Sequence, residues 1–230
     1  IFKLKQVDSL LSVSQHGSGF LKEHYPVYKD KFKTDYLGVK DVVSTLKKSD
    51  DQNFHIVTCS GIDSNKRVHK LAEALLKIKE QIKWTHFGDG VLINELKAIT
   101  EKFPNNISFD FKGKTPNNEV KQFYADNKIN LFVNLSIVEG LPVSIMEAMM
   151  FEIPILATSV YGTPEAVIEG ENGFLLNVNF TDEELLGKLH YCIQNKIILD
   201  KMGQQSRVFY LQKFNADKNY SNFANYLASL

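Results

Sequence analysis

From Asp51 to the C-terminus, short apolar runs and helical patterns follow one another in regular alternation, and few folds can use such a string. The runs His55–Cys59, Trp84–Phe87, Ile107–Phe111, Ile129–Asn134, Ile153–Ala157 and Gly173–Leu176 read as six strands. Between them lie helical stretches: Lys66–Ile82, with Leu71, Ala74, Leu75 and Ile78 on one face, one ending near Phe103, Asn117–Ala125, and one beginning about Val143. The chain closes on three more, Asp182–Gln194, Ile198–Phe214 and Ala216–Leu230. Strand–helix–strand units of this kind close as right-handed crossovers on a parallel sheet. The expected fold is therefore α/β, a doubly wound parallel sheet. Ligands bind such sheets beyond the carboxyl ends of the strands. Each of the motifs below falls at such an end.

Residues 1–49 break the pattern. They carry nine lysines against five acidic residues, with one strand pattern, Ser9–Gln15, and one helix, Gly19 to about Tyr25, stopped by Pro26. A lysine-rich loop through Lys29, Lys31 and Lys33 then leads to Tyr36-Leu37-Gly38-Val39. One strand and one helix cannot close a core of their own. The segment reads as an extension packed on the main domain or the tail of another one. Its lysines read as a solvated face, with an anionic partner surface as the alternative.

Composition narrows the function classes. Lys plus Arg equals Asp plus Glu at 27 each, so nucleic-acid binding has no support from net charge. Cys59 and Cys192 lie far apart in apolar runs, as in a reduced, cytosolic chain. No run reaches the roughly 18 apolar residues of a membrane span, and no signal-peptide pattern is present. The chain begins at Ile1 without Met, which reads as a fragment or a processed chain.

The chemistry concentrates in Asn134–Thr163. Glu139 sits in a turn punctuated by Gly140 and Pro142, and Glu147 follows inside the apolar helix Ile145-Met146-Glu147-Ala148-Met149-Met150-Phe151. Strand, turn and helix together aim a helix N-terminus, with its free amides, at the mouth of the sheet. The amides of Gly140, Leu141 and Val143 suit phosphate oxygens, whereas Pro142 donates nothing. A buried carboxylate such as Glu147 needs donors, either the vicinal hydroxyls of a ribose or the backbone of a neighbouring loop. Lys66 and Arg67, at the first strand's carboxyl end, suit a diphosphate, although surface cations are common. Gly88-Asp89-Gly90 resembles half a dinucleotide fingerprint, but Ile93 stands where the third glycine belongs, so a tight turn is the default. Gly162 and Glu165 form another turn at the ligand edge. No two aspartates stand at i and i+2, the six histidines lack metal-ligand spacing, and neither a Walker loop nor a G-x-S-x-G elbow occurs. His55 and Cys59 share a strand face and read as core.

The stretch SIVEGLPVSIMEAMMFEIPILATSVYGTPEAVIEGENGFLL resembles the signature of glycosyltransferase family 4, retaining enzymes of the GT-B fold. It carries the two glutamates as Glu139 and Glu147, then Pro154, Gly162, Glu165 and Gly173. Upstream, CSGIDSNKRV, FGDG and Phe111-Lys112-Gly113 match in the same order, so the resemblance covers about residues 51–230. It implies a Rossmann-like half of a GT-B enzyme. Residues 1–49 would be the remnant of the N-terminal acceptor domain and its linker, and residues 50–230 the nucleotide-sugar domain.

Carried over, the resemblance puts Glu147 on the ribose, Glu139 on the transferred sugar and Lys66 on the diphosphate, with Gly140 to Val143 assisting. Gly88 and Gly113 would line the nucleotide site, Gly113 near the base. The family often has an arginine where Gly61 stands, and Arg67 is expected to supply part of that charge. Glu152 replaces a usual glycine. The implied reaction moves a hexosyl unit from a UDP-, GDP- or ADP-sugar to a polysaccharide or glycolipid, without metal or cofactor. The setting would be cytoplasmic, with contact to the inner face of the membrane left open. An isolated donor half would be inactive. A nucleotide-sugar epimerase or a non-catalytic nucleotide-sugar module are the alternatives. A glycoside hydrolase fits poorly, because one glutamate lies deep in a helix.

Overall fold

The structure, a computed structural model, describes residues 3–42 and 53–229. Its first part holds a two-stranded parallel ribbon, β1 (Leu10–Ser12) and β2 (Phe32–Thr34), bridged by α1 (Gln15–His24). The alternating region then gives β3 (Phe54–Cys59), α2 (Val68–Leu75), β4 (Ile82–Phe87), α3 (Ile93–Thr100), β5 (Ile107–Gly113), α4 (Asn117–Asp126) and β6 (Leu131–Asn134). It continues through α5 (Val143–Met150), β7 (Ile155–Thr158), α6 (Thr163–Ala166) and β8 (Gly173–Leu176). Three helices follow: α7 (Asp182–Gln194), α8 (Lys196–Phe209), and, after a π turn over Tyr210–Phe214, α9 (Ala216–Ala228).

Strands β3 to β8 form one parallel sheet in the order β5-β4-β3-β6-β7-β8. The chain winds outward from β3 to β5, crosses back to β6, and winds outward the other way. The reversal lies between β3 and β6, where a doubly wound sheet opens its ligand crevice. Both sheet faces are covered, as an all-parallel sheet requires. Ile56 and Leu131 pack with Leu71, Leu75 and Leu189 on one face. Their neighbours Val57 and Phe132 pack with Ile145, Met149 and Phe214 on the other. The period of two along each strand does the sorting.

Several elements differ from the sequence reading. Helix α2 ends at Leu75 rather than Ile82, because Asn106 Nδ2 donates to the carbonyls of Ile78 and Glu80 and Ile82 pairs with Phe54 in the sheet. An apolar residue at position 82 continues a helical stripe and starts a strand equally well. Strand β2 falls in what reads as a lysine loop: Phe32 is buried between a half-buried Lys31 and an exposed Lys33. Helix α1 starts at Gln15, four residues before Gly19, because Ser14 Oγ accepts from the Gly17 amide as an N-cap. Helix α5 begins at Val143, where the sequence reading put it, with Pro142 as the residue before it.

Residues 36–41 pack on the C-terminal helices. Val39 bridges Asn215, Tyr210 Oη donates to the Val39 carbonyl, and Asn219 Nδ2 donates to the carbonyls of Tyr36 and Leu37. Arg207 grips Asp41 with two bonds of 2.8 and 2.7 Å. The boundary expected between residues 49 and 50 lies outside the described residues.

His86, near the end of β4, gives the fold a pH dependence. It is fully buried, Thr58 Oγ1 lies 2.7 Å from its Nδ1, and its ring stacks on Phe111. Burial pushes the imidazole down to about 4, against an opposing pull from Asp89. An unfolded histidine titrates near about 6.5. Between those values the unfolded chain takes up a proton that the folded chain refuses. Stability is therefore lost as pH falls through this window, by up to about 3 kcal/mol. Urea unfolding at about pH 7 and about pH 4.5 should show a lower midpoint at the acidic pH, with a smaller drop in His86→Gln. An equal drop in both proteins would assign the loss to other groups.

Candidate active site

The crevice at the chain reversal is built from the loops after β3 and β6, and Asn65 stitches them together. Asn65 Oδ1 accepts from the Val138 amide, its Nδ2 donates to the Val138 carbonyl, and the Ile137 amide donates to the Asn65 carbonyl. Across this stitch Lys66 forms an ion pair with Glu139 Oε1. The side chains are 24% and 13% exposed, so water screens the pair only in part. Asp63 Oδ1 accepts from the Lys66 amide at 2.9 Å and fixes the backbone that carries the cation. Glu139 has two further holders: Ser136 Oγ donates at 2.7 Å and Asn134 Nδ2 lies at 3.5 Å. It would keep its place if Lys66 left.

Beside this pair opens the N-terminus of α5. No described residue accepts a hydrogen bond from the amides of Gly140, Leu141 or Val143. Gly140 is exposed, and the Leu141 side chain is buried in the core beneath. Free amides, a helix dipole and an ammonium group within one loop pair make a site for an anion. The loop is braced from the other side by Gly162, whose amide donates to the Gly140 carbonyl at 3.0 Å. A Cβ on Gly162 would stand 2.2 Å from that oxygen, so only glycine allows the approach.

A second cluster lies over β4 and β5. The Gly88 amide donates to the Gly113 carbonyl, and the Ser60 amide to the Phe87 carbonyl, which ties the ends of β3, β4 and β5 together. Gly88 has φ 129°, and a Cβ there would stand 1.9 Å from the Ser60 carbonyl oxygen. Gly61 lies at the same edge, near Asp89. Glu147 is buried on α5 and accepts from Asn117 Nδ2 of α4 at 2.7 Å. Cys59 connects the two clusters. It lines a cavity of about 10 Å³ with Lys66 and Ser136, room for about one water. Burial, and then the charge of Glu147, push its thiol up to about 11.

Arg67 is placed differently from Lys66. It adopts a left-handed conformation, φ 49°, and turns its guanidinium toward the protein. Nε donates to the Leu135 carbonyl at 2.6 Å, Nη1 to the Val178 carbonyl at 2.8 Å, and the group lies over the Phe180 ring. Nη2 is buried without a partner among the described residues. Glu165 also turns away from the crevice, accepting from the amides of Gln15 and His16 and from Tyr36 Oη. The structure thus brings Lys66, Glu139 and the α5 amides together, and sets Glu147, Gly88, Gly113 and Gly61 beside them. Asn65, Asp63, Ser136 and Asn117 are polar contributors that the sequence reading missed. Single polar residues in loops or at a helix start carry no periodic signal. Among the described residues, no three His, Cys, Asp or Glu side chains gather as a metal site would need, and no helix is long and apolar enough to cross a membrane.

Set against known proteins, a family profile described as "Glycosyl transferases group 1" matches residues 40–209. The putative colanic acid biosynthesis glycosyltransferase WcaL of Salmonella typhimurium is 26% identical over 181 residues, 75% of this chain and 44% of that protein. An uncharacterized glycosyltransferase of Methanocaldococcus jannaschii is 28% identical over 212 residues, 92% of this chain and 56% of its own length. The chain spans about half the length of these curated relatives. Among solved structures, Anabaena HepE in complex with UDP-glucose superposes with a TM-score of 0.81 at 21% identity, over 97% of this chain and 64% of that one.

Proposed function

The chain belongs to the group 1 glycosyl transferases, and from that membership we propose that it is the donor-binding part of a retaining hexosyltransferase. Its fold is one half of the GT-B architecture. The donor is a UDP-, GDP- or ADP-sugar, and the acceptor a polysaccharide or glycolipid. The work is placed in the cytoplasm, at the inner face of the membrane when the acceptor is a lipid. Residues before about 50 belong to the acceptor-side domain and its linker, and those after it to the donor domain.

One observation carries this reading: the Lys66–Glu139 pair stands at the chain reversal beside the unengaged amides of α5. When a donor arrives, its diphosphate takes Lys66 from Glu139 and rests on the amides of Gly140, Leu141 and Val143. Ser136 and Asn134 then hold Glu139 for the sugar hydroxyls. Negative charge grows on the departing diphosphate as the sugar leaves, and donors already in place stabilise it without reorganising. Glu139 thus positions and polarises rather than attacks. Arg67 adds positive field beside Lys66 without leaving its carbonyl partners. Glu147 receives the ribose, and Gly88 and Gly113 admit the nucleoside to the strand ends. The protein's own cations supply the charge, so neither metal nor cofactor is needed. The HepE structure, solved in complex with UDP-glucose, supports a donor of this class.

Thermal-shift titration with UDP-, GDP- and ADP-sugars, with and without EDTA, tests the reading. One donor should raise the melting temperature, equally with EDTA. No shift with any of them would overturn it. These 230 residues alone should bind without transferring sugar, because acceptor and donor halves close over the substrate together.

Gly61 allows a gain-of-function test. A Cβ there would meet Asp63 Oδ2 at 3.4 Å and the Asp89 carbonyl at 3.7 Å, both ordinary contacts. Gly61→Arg should therefore fold and bind the nucleoside diphosphate several-fold tighter by calorimetry, about fivefold for one added charge-assisted contact. Weaker binding by a folded variant would place the diphosphate elsewhere.

A further inference from the structure

Glu147 is held from behind by two side chains of α4. Asn117 Nδ2 donates to Glu147 Oε1 at 2.7 Å, and Lys121 Nζ stands 3.7 Å from the same oxygen. Positions 117 and 121 are one helical turn apart, so α4 presents both on one face. The Lys121 and Glu147 side chains are 17% and 8% exposed, well removed from the screened setting in which ion pairs contribute little. No described residue donates to Oε2. A carboxylate offers about four acceptor sites. Asn117 and Lys121 both face Oε1, and the sites on Oε2 stay open for incoming hydroxyls.

We propose that Asn117 and Lys121 are positioning residues that lock the Glu147 carboxylate in one orientation, and thereby make the site select ribonucleotides over 2′-deoxyribonucleotides. This rests on the donor-site reading above. A fixed carboxylate cannot turn to satisfy itself when a hydroxyl is missing, so the deoxy ligand leaves a buried acceptor unpaired. A loosened carboxylate can relax, and the penalty shrinks. Asn117 is exposed at the start of α4, and Lys121, though mostly covered, belongs to neither apolar core cluster, so replacing either leaves the core intact.

The test is calorimetric titration of UDP, GDP and ADP, each against its 2′-deoxy counterpart. For the base that binds best, the wild type should prefer the ribonucleotide by more than about tenfold. Asn117→Ala and Lys121→Met should each cut that ratio by about threefold or more. A merely structural role would lower the melting temperature, or weaken both ligands equally, and leave the ratio alone. An unchanged ratio in both variants, beside a discriminating wild type, overturns the proposal and leaves the donor site standing. A wild type that binds no nucleotide overturns both.

Discussion

Lys66→Ala is expected to weaken nucleoside diphosphate binding by about a hundredfold or more, the cost of removing a partly desolvated cation from two phosphates. Its counterpart has the opposite sign. Glu139 is paired with Lys66, so a diphosphate binding there displaces a carboxylate. Glu139→Gln removes that competitor and keeps a side chain able to bond Ser136 and Asn134. Nucleotide affinity should rise several-fold, by about the strength of one half-buried ion pair. Transfer by a complete enzyme carrying the same change should fall, by about a hundredfold if Glu139 orients the sugar. Calorimetry reads the first effect and initial rates the second. A Glu139→Gln protein that binds nucleotide more weakly would mean that Glu139 itself supports the diphosphate site. The proposed exchange of partners would then be wrong.

The second large effect concerns Glu165. Its carboxylate accepts from the Gln15 and His16 amides at 2.7 and 2.8 Å and from Tyr36 Oη at 2.8 Å. The first two are orphan donors at the N-terminus of α1, where a negative charge is favoured. Removing the carboxylate strands three donors at once. Glu165→Ala should cost about 3 kcal/mol, mostly as local opening of residues 14–42 rather than global unfolding. Amide exchange across α1 should then speed up about a hundredfold, while β3 and β6 exchange as before. Tyr36→Phe, losing one donor, should cost about 1 kcal/mol. Uniform acceleration over the whole chain would show that α1 and the main sheet open as one unit.

Much of this was legible in the residues. The alternation of short apolar runs with helical patterns implied the parallel sheet, and all six strands lie within a few residues of their expected places. Glu139 stood out as a charge in a glycine-proline turn and Glu147 as one inside an apolar helix, whereas Lys66, a common kind of surface cation, gained its role through the family resemblance. What stayed hidden depends on contacts between distant parts of the chain. Asn65 looks like any loop residue until Val138 is folded against it. Asn117 looks like a helix start until α5 brings Glu147 to it. Glu165 reads as a ligand-edge residue from its turn, yet its partners are the amides of α1 at the other end of the chain. Strand β2 is three residues long, with Lys31 before it and Lys33 within it, too short for periodicity to reveal. Arg67 and Lys66 are adjacent cations in sequence, and only the left-handed backbone at Arg67 separates their directions.

In the proposed mode of binding a diphosphate rests on the N-terminus of α5 beside Lys66. Residue-resolved hydrogen exchange at Gly140, Leu141 and Val143, with and without the tightest-binding nucleoside diphosphate, tests it most directly. These amides have no acceptor among the described residues, so they should exchange fast in the free protein and slow markedly in the complex. Binding that leaves them fast while protecting another part of the surface would place the diphosphate elsewhere.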